Sequence, residues 1–90
     1  MEIKQTKNRF YVGEADRPTA HLDYREIDEH TVEAYHTVVR PELQGQGIAK
    51  KLLERFMEYV KANDLKVVAS CSYVDVKMRE DAEYDKYLER

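Results

Sequence analysis

Apolar side chains recur at every second position through the first forty residues and at every third or fourth position from Ile48 onward. The chain therefore passes from a strand period to a helix period near its middle. In "TAHLDYREI", Ala20, Leu22 and Tyr24 share one face, and His21, Asp23 and Arg25 share the other. "TVEAYHTVV" sorts in the same way, with Val32, Ala34, His36 and Val38 on one side and Glu33, Tyr35, Thr37 and Val39 on the other. "EIKQ" and "RFYVGE" precede them, and the polar connections "ADRPT" and "DEH" are short enough for hairpins. Four strands in an antiparallel meander are expected, the last closed by Pro41.

From Gln46 to about Ala62, Ile48, Leu52, Leu53, Phe56, Met57 and Val60 form a stripe opposite Lys51, Glu54, Arg55, Glu58 and Lys61. This is a central amphipathic helix, stopped at "ANDL". "KVVASC" reads as a buried fifth strand, and its helical crossover lets it pair parallel to the fourth. "SYVDVKMREDAEYDKYLER" supplies short C-terminal helices. The expected fold class is α+β in one domain over residues 1–90.

Composition removes several functions from consideration. A net charge of −3 does not provide the clustered positive field that nucleic-acid binding relies on. The apolar runs are too short to span a bilayer, so neither a nucleic-acid nor a membrane partner is expected. "MEIKQTKNRF" has no apolar signal-peptide core, and the lone Cys71 cannot form an intramolecular disulfide; both point to a cytoplasmic protein. His21, His30, His36 and Cys71 lack C-x-x-C or H-x-x-x-H spacing, so no metal is expected.

The segment "RPELQGQGIAKKLLERF" carries the clearest chemical signal. Two glycines just before a helix keep Cβ atoms away from whatever approaches the backbone. The first-turn N–H groups of that helix lack intrahelical partners and lie at the positive end of its dipole. An isolated helix favours acidic residues there, yet this one opens with Lys50 and Lys51, which suits a bound anion. Lys50 stands where a G-x-G-x-x-G dinucleotide motif would need its third glycine, so that motif is excluded; an unliganded turn remains the alternative.

"VVRPELQGQGIAKKLL", with Gln44, Gly47 and Ala49 in the positions of Q/R-x-x-G-x-G/A, resembles the acyl-CoA-binding motif of the GNAT acetyltransferase superfamily. "HTVV" at His36–Val39, "CSYV" at Cys71–Val74 and "REDAEY" at Arg79–Tyr84 extend the likeness to small single-domain GNAT-like proteins that lack the final strands. The resemblance implies a truncated GNAT fold and an N-acetyltransferase that uses acetyl-CoA as cosubstrate, without a metal. It implies that the strand ending at Val38 and Val39 pairs with the pantetheine arm. Backbone amides of Gln44, Gly45, Gln46, Gly47, Ile48 and Ala49, with Lys50 beside them, would cradle the pyrophosphate. Cys71, Ser72 and Tyr73 would line the far wall of the thioester site.

Acetyl transfer is expected either directly or through Cys71 as nucleophile, with His36 as base. Glu33 is the other candidate base, and Tyr73 a hydrogen-bond donor to the departing thiolate. The acceptor, a small amine or a peptide, is not legible. The alternative is a CoA-binding or protein-interaction module without efficient turnover. A monomer or weak homodimer is expected, since a second copy could cover an exposed sheet edge.

Overall fold

The strand-period half of the chain builds a meander, and the helix-period segment covers one face of it. The structure, a computed structural model, describes residues 2–89. Strands β1 (Lys4–Thr6), β2 (Arg9–Glu14), β3 (Arg17–Asp28) and β4 (Thr31–Val39) are antiparallel neighbours, and β5 (Lys66–Ala69) joins β4 in parallel. Helix α1 (Ile48–Ala62) makes the crossover between β4 and β5. Two shorter helices follow, α2 (Ser72–Glu80) and α3 (Ala82–Asp85), and a bridge from Leu88 to Val67 ties the tail to the outer edge of β5. The α+β meander with a parallel fifth strand is as the hydrophobic pattern predicts.

The expected helical stripe of α1 is the buried one, packed on Phe10, Leu22, Tyr24, Val32 and Ala34 of the sheet. Phe56 is fully buried, edge-on to Phe10 at 6.2 Å and tilted against Tyr24 at 5.5 Å between ring centroids. Removing that ring is expected to cost about 3–5 kcal/mol in Phe56→Ala, because aromatic contacts and buried area are lost together. A domain of this length has roughly 5–13 kcal/mol in total. Urea unfolding should accordingly show Phe56→Ala with a far lower midpoint than the parent.

Local rules explain three departures from the sequence pattern. Helix α1 begins at Ile48, two residues later than expected, because Gly47 caps it at φ 75°, outside helical space. A single 3-10 turn, Pro41–Leu43, bridges β4 to the glycine loop, with proline at its first position. β5 stops at Ala69, and the amides of Ser70 and Cys71 both donate to the carbonyl of Ala34, ending the ladder there.

The fourth departure matters most for function. The β3–β4 register runs Leu22↔Thr37 and Asp23↔His36, then Tyr24↔Ala34, so Tyr35 is an extra residue in β4. Such a bulge reverses the alternation on its far side. Val32 and Ala34 face the helix as expected. Beyond the bulge, Thr37 and Val39 face it, while His36 and Val38 turn to the outer face beside Asp23 and His21. The expectation that His36 shares a face with Val32 and Ala34 is thereby corrected.

Candidate functional site

The bulge, the early end of β5 and the glycine loop converge at one end of the sheet. β5 pairs only with Thr31–Ala34, so the stretch of β4 beyond the bulge has no strand beside it on that edge. Arg40 donates its amide to Thr19 on β3, and the alternation of an antiparallel ladder commits Val38 to β3 as well. Thr37 and Val39 therefore turn their peptide groups to the open edge. The expectation placed that role on Val38 and Val39 together; Thr37 takes the place of Val38. An open row of peptide groups can accept an extended, amide-bearing chain as an added strand.

The loop continues from this edge. Gln44 donates its side-chain amide to the carbonyl of Val39 at 3.1 Å, pinning the loop to the strand. Gly45 and Gly47 have φ of 85° and 75°, and a Cβ at either would meet nothing within 4 Å. The glycines thus serve backbone conformation and keep the loop surface bare. No side chain caps α1, and its first turn holds no acidic residue. Its leading N–H groups point out of the helix without an intrahelical acceptor, and Lys50 lies exposed beside them. Val39, Leu43, Gln44, Gly45, Gly47, Ile48, Ala49, Lys50 and Tyr73 line a depression of about 160 Å³. A larger one, about 490 Å³, shares Lys50 and Tyr73 with it and runs on to Lys77 and Tyr84. Gln46 lies outside both, on a separate shallow face near Val12 and Gly13. A diphosphate with an extended arm fits the residues present: bare glycines, free amides, a lysine and an open strand edge.

Cys71 stands at the start of α2, half-buried, with its sulfur 3.3 Å from Thr37 Oγ1 on the helix side of the sheet. His36 lies across the sheet, its Nδ1 3.6 Å from Asp23 Oδ2. The expected pairing of a Cys71 nucleophile with a His36 base does not form, because the bulge places them on opposite faces. Ser72 is exposed in the first turn of α2 and lines neither depression. Tyr73 lines both. Burial, its largest influence, raises the phenol above its ordinary range, so it stays protonated at neutral pH and able to donate. Glu33 is bound by the hydroxyl of Ser70 and by Arg25. Those bonds, Ser70 first, hold its carboxyl below the usual range and make it a weak proton acceptor.

On the outer face, Asp23 is only 5% exposed and its charge is met by Arg9, with Nε at 2.6 Å and Nη2 at 3.2 Å. His21 Nδ1 lies 3.0 Å from the same carboxylate. Sequence reasoning missed this cluster and Thr37, and it set metal binding aside because it looked for ligand spacings within one segment. The alternation of β3 does put His21 and Asp23 on one face; the bulge that brings His36 to them has no sequence marker.

Known proteins converge on the same architecture. A family model described as GCN5-related N-acetyl-transferase matches residues 9–88. Protein NATD1 of Xenopus tropicalis is 37% identical over 69 residues, covering 77% of this chain and 62% of the frog protein. Protein NATD1 of Mus musculus is 34% identical with the same coverage. The chain thus spans about three-fifths of the length of the curated relatives it matches. A GCN5-like protein from Staphylococcus aureus, solved in solution by NMR, superposes with a TM-score of 0.81 at 37% identity, covering 98% of this chain and 87% of that one. A GNAT family acetyltransferase from Elizabethkingia anophelis, solved with acetyl-CoA bound, has the same fold, with a TM-score of 0.60 at 18% identity over 80% of this chain and 50% of that one.

Proposed function

Because this chain belongs to the GCN5-related N-acetyl-transferase family, we propose that it moves an acetyl group from acetyl-CoA directly to an amine. One observation carries the reading: the open edge of β4 leads without a break into the bare glycine loop and the uncapped start of α1. Thr37 and Val39 bind the pantetheine amides as an added strand would. The amides from Gly45 to Ala49 and the ammonium of Lys50 hold the diphosphate. The acetyl-CoA held by the Elizabethkingia protein, which shares the fold, supports this choice of cosubstrate.

The acceptor approaches from the outer face, where His36 is exposed beside the bulge. His36 takes the proton released as the amine attacks the thioester carbonyl, and the Asp23 carboxylate, 3.6 Å from Nδ1, stabilises the imidazolium that forms. Tyr73 gives its proton to the departing thiolate. Cys71 has a threonine hydroxyl beside its sulfur and no imidazole, which favours direct transfer over an acetyl-cysteine relay.

Incubation with acetyl-CoA and a panel of small amines and basic peptides, followed by thiol release and intact mass, tests the reading. The expected result is acetylated acceptor with the enzyme's own mass unchanged. An acetyl adduct on Cys71 that forms and decays at the rate of product release would replace direct transfer with the relay. CoA binding with no transfer to any acceptor would leave a binding module.

A further inference from the structure

Two imidazoles and a buried carboxylate converge on the outer face of the sheet, on the side away from the glycine loop. His21 and Asp23 are two residues apart on β3 and share a face; His36 stands opposite Asp23 on β4 because Tyr35 is bulged out. One ligand atom from each of the three lies within 4.8 Å of the others. The rings of His21 and His36 are 5.7 Å apart between centroids, at 76° to one another. Two imidazoles on a single tetrahedral ion, with metal–nitrogen bonds of about 2.0–2.1 Å, hold their centroids roughly 5 Å apart. A small rotation of the His36 side chain, which is 57% exposed, closes the difference.

The carboxylate is arranged for the same purpose. Asp23 Oδ1 takes Arg9 Nε at 2.6 Å and His21 Nδ1 at 3.0 Å, whereas Oδ2 takes Arg9 Nη2 at 3.2 Å and faces His36 Nδ1 at 3.6 Å. Oδ2 is thus the less committed oxygen, and it is the one that faces His36. Arg9 on Oδ1 fixes the carboxylate as a hydrogen-bonding neighbour fixes a metal-ligating one. Without an ion, His21 Nδ1–H donates to Asp23 Oδ1; an ion displaces that proton, and with each imidazole then carrying its proton on Nε2 both Nδ1 lone pairs can ligate it.

We propose that His21 Nδ1, His36 Nδ1 and Asp23 Oδ2 form a binding site for one divalent transition-metal ion of the zinc type, with the fourth position open to solvent. Imidazole with carboxylate suits zinc, cobalt, nickel and copper, and excludes calcium and magnesium, which take all-oxygen sets. The inference rests on this geometry and not on the acetyltransferase reading; with the ion bound, His36 has no free nitrogen to act as base, so the ion would oppose acetyl transfer.

Calorimetric titration with Zn2+ and visible absorption on adding Co2+ test it. One equivalent should bind, with the Co2+ bands of a low-coordinate nitrogen–oxygen site. His21→Gln and His36→Gln should each weaken binding by at least about tenfold, the least loss that removal of even an outer-shell partner brings. His30→Gln and Cys71→Ser should bind as the parent does. Thermal melts verify folding, and the exposed His36 variant carries the test should His21→Gln unfold. Absence of binding overturns the proposal, as does binding that survives loss of either imidazole or depends on His30 or Cys71.

Discussion

Gly47→Glu is expected to weaken CoA binding by about 100-fold or more, equivalent to roughly 2.7 kcal/mol. Space is not the reason, since a Cβ at Gly47 would meet nothing within 4 Å. Charge is. The new carboxylate would sit at the amide cradle where the diphosphate belongs, adding like-charge repulsion and competing for the same N–H groups. The substitution has a second, separable cost. Gly47 has φ 75°, and a residue with a side chain loses about 1–2 kcal/mol in that region. At about 4–8 °C per kcal/mol for a domain of this size, its melting temperature should fall measurably. Gly47→Asn separates the two, because asparagine tolerates this backbone region and brings no charge. Calorimetry should find it close to the parent in CoA affinity while Gly47→Glu is far weaker. Equal loss in both variants would assign the effect to backbone geometry alone.

His36→Ala should lower kcat by about 10²–10⁴-fold, the range attributed to a positioned general base. The KM for acetyl-CoA should change little, because His36 projects to the outer face, from which the acceptor approaches, and makes none of the contacts proposed for the pantetheine arm or the diphosphate. Its exposed side chain carries little packing, so the fold should be retained. Steady-state assays with the best amine of the acceptor panel measure the split, and added imidazole should restore part of the rate. A variant with parental kcat would remove His36 from the chemistry and leave the acceptor amine to lose its proton to solvent.

These two predictions depend unequally on what the sequence discloses. Ile48, Leu52, Phe56 and Val60 recur at helical spacing, so α1 and its buried face follow from pattern alone. Gly45 and Gly47 occur where a bare backbone meets a helix start, so the open glycine loop ahead of α1 follows from residue chemistry. His36 was harder to place. Val32, Ala34, His36 and Val38 continue one unbroken alternation, and nothing in "EAYHT" signals that Tyr35 will be an extra residue. The bulge is a property of how β3 and β4 pair in the folded sheet, which a period-two reading does not contain. It moves His36 from Cys71 to Asp23, and so replaces an expected thiol–imidazole pair with an imidazole beside a buried carboxylate. Asp23 carries a related lesson. Alternation puts it on the outer face, yet the hairpin brings the partly exposed Arg9 across it and Asp23 is buried.

CoA is expected to lie along the free edge of β4 with its diphosphate at the glycine loop. Titration of the 15N-labelled protein with CoA, read as backbone amide shifts, tests this most directly. The largest shifts should fall on Thr37, Val39 and residues 45–50, with Tyr73 responding across the groove. Shifts centred on β1 and β2, or none at saturating CoA, would contradict it.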